Sequence, residues 1–350
     1  MACMRRLAFL AGVTALALAA GGSAAPGLQP LRGVPLVGKT GLRLLIASNP
    51  PYVLDVDSGR RTQVTGVPRS RHAVLWVQPA GSDALVVLDP NRPGRKLPAQ
   101  EIYVVRKGTT TAKFLGTGWG VAPSADGRAV WISTYVTVGR CELREVSLDG
   151  RQRRPSRRFA CGWLDPGGPL GLILHRRTRD ELINPSSLRT LLHAPQILAI
   201  AGRHVLAKDR VKGLTLIDFT TGKRLRLHWP SSIGGDTSQG GTDEAAVDAS
   251  GKLLALGFSD PAYQGGGTQV TDVWLLESAT GRFRQLPDMP AIVSLKFTSW
   301  AWTSGGRLVF LAETEGVTVV GIWTPGDQRI AVKRVTLPER NSGSDSFVLH

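Results

Sequence analysis

Apolar residues in this chain come in short bursts of five or six, each bounded by Gly, Pro, Asp or Asn. The runs 42–47, 84–88, 129–133, 253–258 and 308–312 are typical. Some alternate apolar with polar residues and some are continuous. Their length and their β-branched and aromatic content predict β-strands. The spacings of three and four that mark amphipathic helices are missing beyond the N-terminus. Many short strands at such intervals predict an all-β sandwich, barrel or propeller.

A recurring turn phrase decides among these. It is a strand, then an acidic residue, Ser or Thr, and Gly, then a second strand. It reads Asp55-Val56-Asp57-Ser58-Gly59, Asp218-Phe219-Thr220-Thr221-Gly222 and Glu277-Ser278-Ala279-Thr280-Gly281. The glycine anchors fall at Gly59, Gly108, Gly150, Gly222, Gly281 and Gly326, and a hairpin at 184–187 fills the wide gap. The intervals bracket the period of four-stranded propeller blades. A lone hairpin cannot bury its apolar face, so copies must stack. The expected fold is a single β-propeller of four-stranded antiparallel blades, seven in number, at roughly 36–68, 69–116, 117–160, 161–195, 196–230, 241–290 and 291–337. The fourth blade is the weakest repeat, so six blades is the alternative.

A second phrase precedes several anchors: Pro123-Ser124-Ala125-Asp126-Gly127-Arg128, Asp248-Ala249-Ser250-Gly251-Lys252 and Thr303-Ser304-Gly305-Gly306-Arg307. Together with Val273-Trp274-Leu275-Leu276 and its Thr-Gly turn, this pattern resembles the TolB-type, WD40-like propeller repeat of exported bacterial proteins. The resemblance spans about 36–337 and is clear in three copies. It implies the fold, the turn chemistry and an interaction role like that of TolB-like proteins, and little else about function.

The N-terminus reads as a secretory signal over residues 1–24: Arg5 and Arg6, an apolar run at 7–20, then small residues, with cleavage after Ala24. The apolar run is shorter than the roughly 20 residues a membrane span needs. A short linker (25–35), the propeller (36–337) and a flexible C-terminal tail (338–350) complete the expected organisation. Removal of the signal takes Cys3 and leaves Cys141 and Cys161, a disulfide pair in an oxidising compartment. The localisation implied is secreted or extracytoplasmic. The net charge of +16 is compatible with anionic lipid or envelope polymer. Export argues against nucleic acid.

No catalytic motif stands out: HExxH, Gly-x-Ser-x-Gly and a P-loop lysine are all missing. No metal or cofactor is expected. By analogy with other propellers, ligands are sought on the face formed by blade-to-blade and mid-blade loops, here called the connection face. The hairpin turns form the opposite face. Two glycine-rich insertions, 231–242 and 259–268, are read as long connection-face loops. Candidate ligand residues are Asp236, Asp243, Asp260 and Tyr263 in or beside them, and Trp119 and Trp163 at blade junctions. Trp76, Trp131, Trp274, Trp300, Trp302 and Trp323 occupy strand positions and read as core. Arg151, Arg153, Arg154, Arg157 and Arg158 crowd one hairpin as a candidate basic edge. The leading expectation is a monomeric, non-enzymatic scaffold for a protein or peptide partner. The alternatives are a hydrolase or lyase with carboxylates over the channel, and a carbohydrate-binding propeller using Trp119 and Trp163.

Overall fold

The turn phrase does what its chemistry suggests. The six anchor glycines adopt φ between 70° and 105°, a region that costs glycine little. The acidic residue ahead of each turn is spent on the turn itself. Asp55 Oδ1 accepts the Ser58 N–H at 2.7 Å, and Asp218 Oδ1 accepts those of Thr220 and Thr221 at 2.9 and 3.0 Å. Both carboxyls are held below their ordinary pKa, chiefly by these N–H groups.

The computed structural model describes residues 29–31, 33–69, 74–89, 99–209, 213–228, 241–265, 268–294, 298–337 and 347–350. They form seven sheets, each built on four antiparallel strands. Blades two to five follow the chain from inner to outer strand. Blade two is Val74–Ala80, Asp83–Asp89, Gln100–Val105 and Ala112–Gly118. Blade three is Gly120–Pro123, Ala129–Thr137, Arg140–Ser147 and Arg157–Ala160. Blade four is Trp163–Gly167, Gly171–His175, Asp180–Ile183 and Thr190–Ala194. Blade five runs from Gln196–Ala201 to Arg224–Leu227. The one helical turn among the described residues is Gly168–Leu170, within a blade-four hairpin.

Alternation along each strand explains the continuous apolar runs, because both faces of every blade are buried against a neighbour. Leu45 packs with Val77 and Val86 of blade two, whereas Leu44 and Ile46 pack with Val309 and Val320 of blade seven. Leu172 faces Trp131 of blade three, and Ile173 faces Ile197 of blade five. Seven hydrophobic clusters result, one at each blade junction, including the one that joins blade seven to blade one.

Ring closure corrects the expected boundaries. Blade one takes only its three outer strands, Arg43–Ile46, Tyr52–Asp55 and Arg61–Gln63, from the N-terminal segment. Its inner strand is Phe347–Leu349, which pairs antiparallel with Arg43–Ile46. The end of the presumed flexible tail is therefore ordered, because blade one lacks an inner strand and Phe347 and Val348 can fill it, 5% and 3% exposed. The presumed linker is also structured. Gln29–Pro30 pairs parallel with Ala291–Ser294, and Val34–Pro35 with Ala331–Arg334. Ala291–Ser294 pairs with Thr268–Glu277, so it edges blade six instead of opening blade seven. The second expected loop, 259–268, is a strand extension. Leu253–Gly265 and Thr268–Glu277 pair from Leu253↔Glu277 to Asp260↔Val270 and again at Gly265↔Thr268, with a register shift between Asp260 and Gly265, and residues 266–267 lie outside the described residues. The loop expectation is corrected for 259–260 and for the Gly265↔Thr268 pair, where the strands hold polar and glycine residues in the sheet. Residues 1–28 and 229–240, including the expected signal and most of the first insertion, lie outside the described residues.

Candidate functional site: the two ends of the channel

At the connection face the inner strands begin, and three tryptophans and a tyrosine meet there. Trp119 sits at the crossover into blade three, between Gly118 and Gly120. A Cβ on Gly118 would lie 2.4 Å from Ile132 Cγ2, and one on Gly120 would lie 3.1 Å from Ser133 Oγ. The backbone is thus pressed onto the next strand, and the Trp119 N–H donates to the Ser133 carbonyl at 2.7 Å. The indole then contacts Tyr135 at 4.8 Å and, edge-on, Trp163 at 6.1 Å between centroids. Trp163 also meets Trp76 at 5.9 Å. Trp76 and Trp163 come from the inner strands of blades two and four, so their contact spans the inner strand of blade three.

All four rings are partly exposed. Val136 and Val138, which follow Tyr135 in the chain, are exposed to 43% and 92% and extend the apolar surface at this end of the blade. Burial pushes the Tyr135 hydroxyl pKa up. The Cys141–Cys161 disulfide lies beside this patch. Cys141 is fully buried opposite Tyr135, and Cys161 is two residues before Trp163. The Arg176 guanidinium donates to the carbonyls of Ala160 and Cys161 at 2.5 and 3.0 Å. The crossover presenting Trp163 is therefore held covalently and by hydrogen bonds.

Below Trp163, His175 sits between two carboxylates, with Nε2 2.9 Å from Asp165 and Nδ1 2.9 Å from Asp180. Burial pulls the imidazole pKa down, but the hydrogen bonds and charges of both aspartates outweigh it and raise it to about 9. At neutral pH the ring is a cation. Asp180 also accepts the Ile197 N–H of blade five at 2.7 Å. This trio ties inner strand, second strand and neighbouring blade together. A histidine already protonated cannot act as a general base.

The hairpin-face half of the channel is an open cavity of about 1200 Å³. Its lining takes the distal halves of the inner strands: Val77 but not Trp76, and Asp165 but not Trp163. Adjacent hairpins close tightly around it. A Cβ on Gly127 would be 2.6 Å from Gly81 Cα, and one on Gly251 would be 2.8 Å from the Gly202 nitrogen.

The fold is a WD40-like seven-bladed β-propeller. It is shared with a protein from Lactobacillus plantarum at a TM-score of 0.56 and 13% identity, covering 86% of this chain and 98% of that one. It is also shared with the β-propeller domain of the Trilobed protease from Pyrococcus furiosus, which has an open velcro topology, at 0.50 and 13%, covering 77% and 85%. Prolyl endopeptidases match at 0.54 and 11%, covering 87% of this chain but only 50% of theirs. At such identities the likeness concerns fold alone. No protein-family model matches the chain, and no curated protein sequence does either.

Of the residues singled out from sequence, Trp119 and Trp163 come together as described. Trp76, Trp300 and Trp302 pack partly buried against blade-junction clusters as expected of core positions; Trp76 in addition meets Trp163, and Trp300 and Trp302 in addition line the cavity. Trp131 and Trp323 are buried. Asp236 lies outside the described residues. For Asp243, Asp260 and Tyr263 the structure describes only positions in the blade-six strands Gly241–Val247 and Leu253–Gly265. The arginine-rich hairpin is largely neutralised. Arg151 pairs with Asp149 at 3.6 Å, Arg153 with Asp126 and Glu145 at 3.2 Å, and Arg154 with Glu145 at 3.0 Å. Only Arg157 and Arg158, on the exposed outer strand, stand apart. Sequence reasoning missed Tyr135 and the Asp165–His175–Asp180 trio. Only pairing across strands brings these together, and no spacing in the sequence marks it.

Proposed function

We propose that this is an exported, non-enzymatic propeller that docks a protein or peptide segment on its connection face. The observation that carries the reading is the patch of Trp76, Trp119, Trp163 and Tyr135 beside exposed Val136 and Val138. Clustered aromatic anchors ringed by apolar groups are the usual substance of binding hot spots. The tight glycine crossover and the disulfide hold the patch in place, so little ordering entropy is lost on binding. Exposed Arg140 and Arg177 flank it, which favours a segment with apolar side chains next to Asp or Glu. The rings engage one another, which suits a knobbed peptide better than a flat sugar ring. The disulfide supports an oxidising compartment, in line with the N-terminal signal.

The test is selection of random displayed peptides on the protein. Enriched sequences should combine apolar and acidic residues. Their affinity should fall about tenfold or more in Trp119→Ala and Val138→Asp. A library that yields no binders, or binders indifferent to both changes, refutes the reading.

A further inference from the structure

The other end of the channel has a different character. The walls of the hairpin-face cavity are apolar, with Val77, Leu198, Ile200, Val247, Trp300 and Trp302 coming from four inner strands. Its rim is cationic. Arg43 comes from the closing blade, Lys107 from the outer hairpin of blade two and Arg307 from the blade-seven turn. None of the three has an ion pair among the described residues. Arg307 donates to the Thr40 carbonyl at 3.3 Å, Arg43 lies across the strand pair from Asp55 and helps hold that carboxyl down, and Lys107 has no side-chain hydrogen bond among the described residues.

The nearby carboxylates are already engaged. Asp83 pairs with Arg106 at 2.6 Å and accepts the Lys107 backbone N–H at 2.9 Å. Asp57 accepts the N–H groups of Thr40 and Gly41, both at 2.8 Å. Among the described residues Asp165 is the one acidic residue lining the cavity, and it faces the charged His175. Among the described lining residues the three cations outnumber this one carboxylate, which favours an anionic head group. His350 also lines the cavity. Its Nε2 lies 2.6 Å from the Thr109 carbonyl, while its buried Nδ1 has no partner. Buried polar atoms are rarely left unpaired in a finished site.

We propose that this cavity binds a small amphipathic carboxylate, its head on Arg43, Lys107 and Arg307 and its aliphatic or aromatic body among Trp300, Trp302 and Leu198. Apolar walls with a few convergent polar groups are the usual make-up of a small-molecule site, and the volume admits a body of that class. The site is independent of the connection-face patch, since the tryptophans there do not line it.

The test is calorimetric titration of the full chain with dodecanoate below its micellar concentration, with dodecyltrimethylammonium as the head-reversed control. Dodecanoate should bind one to one and quench tryptophan emission through Trp300 and Trp302. The ammonium should bind at least about tenfold more weakly. The Lys107→Gln/Arg307→Gln double variant should weaken dodecanoate by about tenfold or more. Arg157→Gln, a charge lost on the outer edge of blade three, should not. Comparable binding of both amphiphiles, no binding of dodecanoate, or equal effects of the rim and edge substitutions would overturn the proposal. The head-reversal comparison uses the unmodified protein, so it stands even if a rim variant folds poorly.

Discussion

Replacing Cys141 and Cys161 together by alanine tests how the connection face is held. The bridge closes a loop with a sequence separation of 20. In the chain-entropy account, opening a loop of this size releases about 11 cal/mol/K to the unfolded state, or about 3 kcal/mol at 25 °C. The native side should change little. Cys161 N–H still reaches the Gly139 carbonyl at 3.2 Å, and Arg176 still holds the Ala160 and Cys161 carbonyls. Alanine rather than serine avoids burying a hydroxyl at Cys141, which is fully inaccessible. Unfolding entropy of roughly 2.1 cal/mol/K per residue, over about 330 residues, converts the loss into a Tm decrease of about 5 °C. The assays are calorimetry of the double variant and of the wild type, with and without dithiothreitol. The reduced wild type and the variant should fall together. A Tm unchanged within about 1 °C would refute the loop-entropy argument. A shift beyond about 12 °C would show that the bridge also holds the native crossover.

Other expectations follow from separate parts of the ring. The folded pKa of His175, about 9, exceeds the ordinary 6.5. Its stabilisation is therefore complete below pH 6.5 and lost as pH rises toward 9. The shift corresponds to about 3 kcal/mol at most, and about 1–2 after allowing for partial solvent access. The Tm gap between wild type and His175→Gln should narrow across that window, and a constant gap would refute the assignment. Val348→Asp buries a carboxylate among Leu45, Val53 and Val77 and should cost about 3–5 kcal/mol in urea unfolding; a loss under about 1 kcal/mol would mean the closing strand is dispensable. Mass spectrometry of protein recovered from a secreting host should show Ala25 as the first residue, and retention of Met1 would refute the signal reading.

The blade repeat was legible because most of its turns place a glycine at positive φ beside an acidic or hydroxyl side chain, while the blade-four turn, with Leu188 at φ 59° and Asn184 as the cap, left the weakest mark. Turn chemistry is local, so it leaves a mark in the sequence. Ring closure left none. Phe347–Leu349 belongs to blade one only because Arg43–Ile46 has an open inner edge, and an edge three hundred residues away has no local signature. The extension at 259–268 was hidden for the opposite reason. Gly, Gln and Ser read as a loop, yet the strands pair to Asp260↔Val270 and meet again at Gly265↔Thr268 across a register shift. In the site, Trp119 and Trp163 were visible because each sits next to a glycine at a blade junction. Tyr135 and Trp76 were not, since each looks like an ordinary strand residue until the neighbouring blade is placed beside it.

The two ends of the channel differ because the blades converge unevenly. Where blades two to four meet at the connection face, large rings from Trp76, Trp119 and Trp163 close the space and leave an apolar surface outward. On the opposite side of the ring, blades five and six contribute small residues, Ala199, Ala245 and Ala246. That leaves the space which becomes the hairpin-face cavity. The cations then collect at its mouth because the start of the blade-one strand Arg43–Ile46, the outer hairpin of blade two and the blade-seven turn bring Arg43, Lys107 and Arg307 to one rim. Acidic residues near that rim are spent on backbone groups: Asp57 accepts the N–H groups of Thr40 and Gly41, and Asp83 that of Lys107. Turn chemistry that looks purely architectural thus sets the sign of the field at the cavity entrance. Removing a capping acid such as Asp57 should loosen the rim and make its potential more positive at the same time. A rim lysine can be neutralised without touching the turn. These two classes of substitution separate the stability of the ring from the binding capacity of its centre.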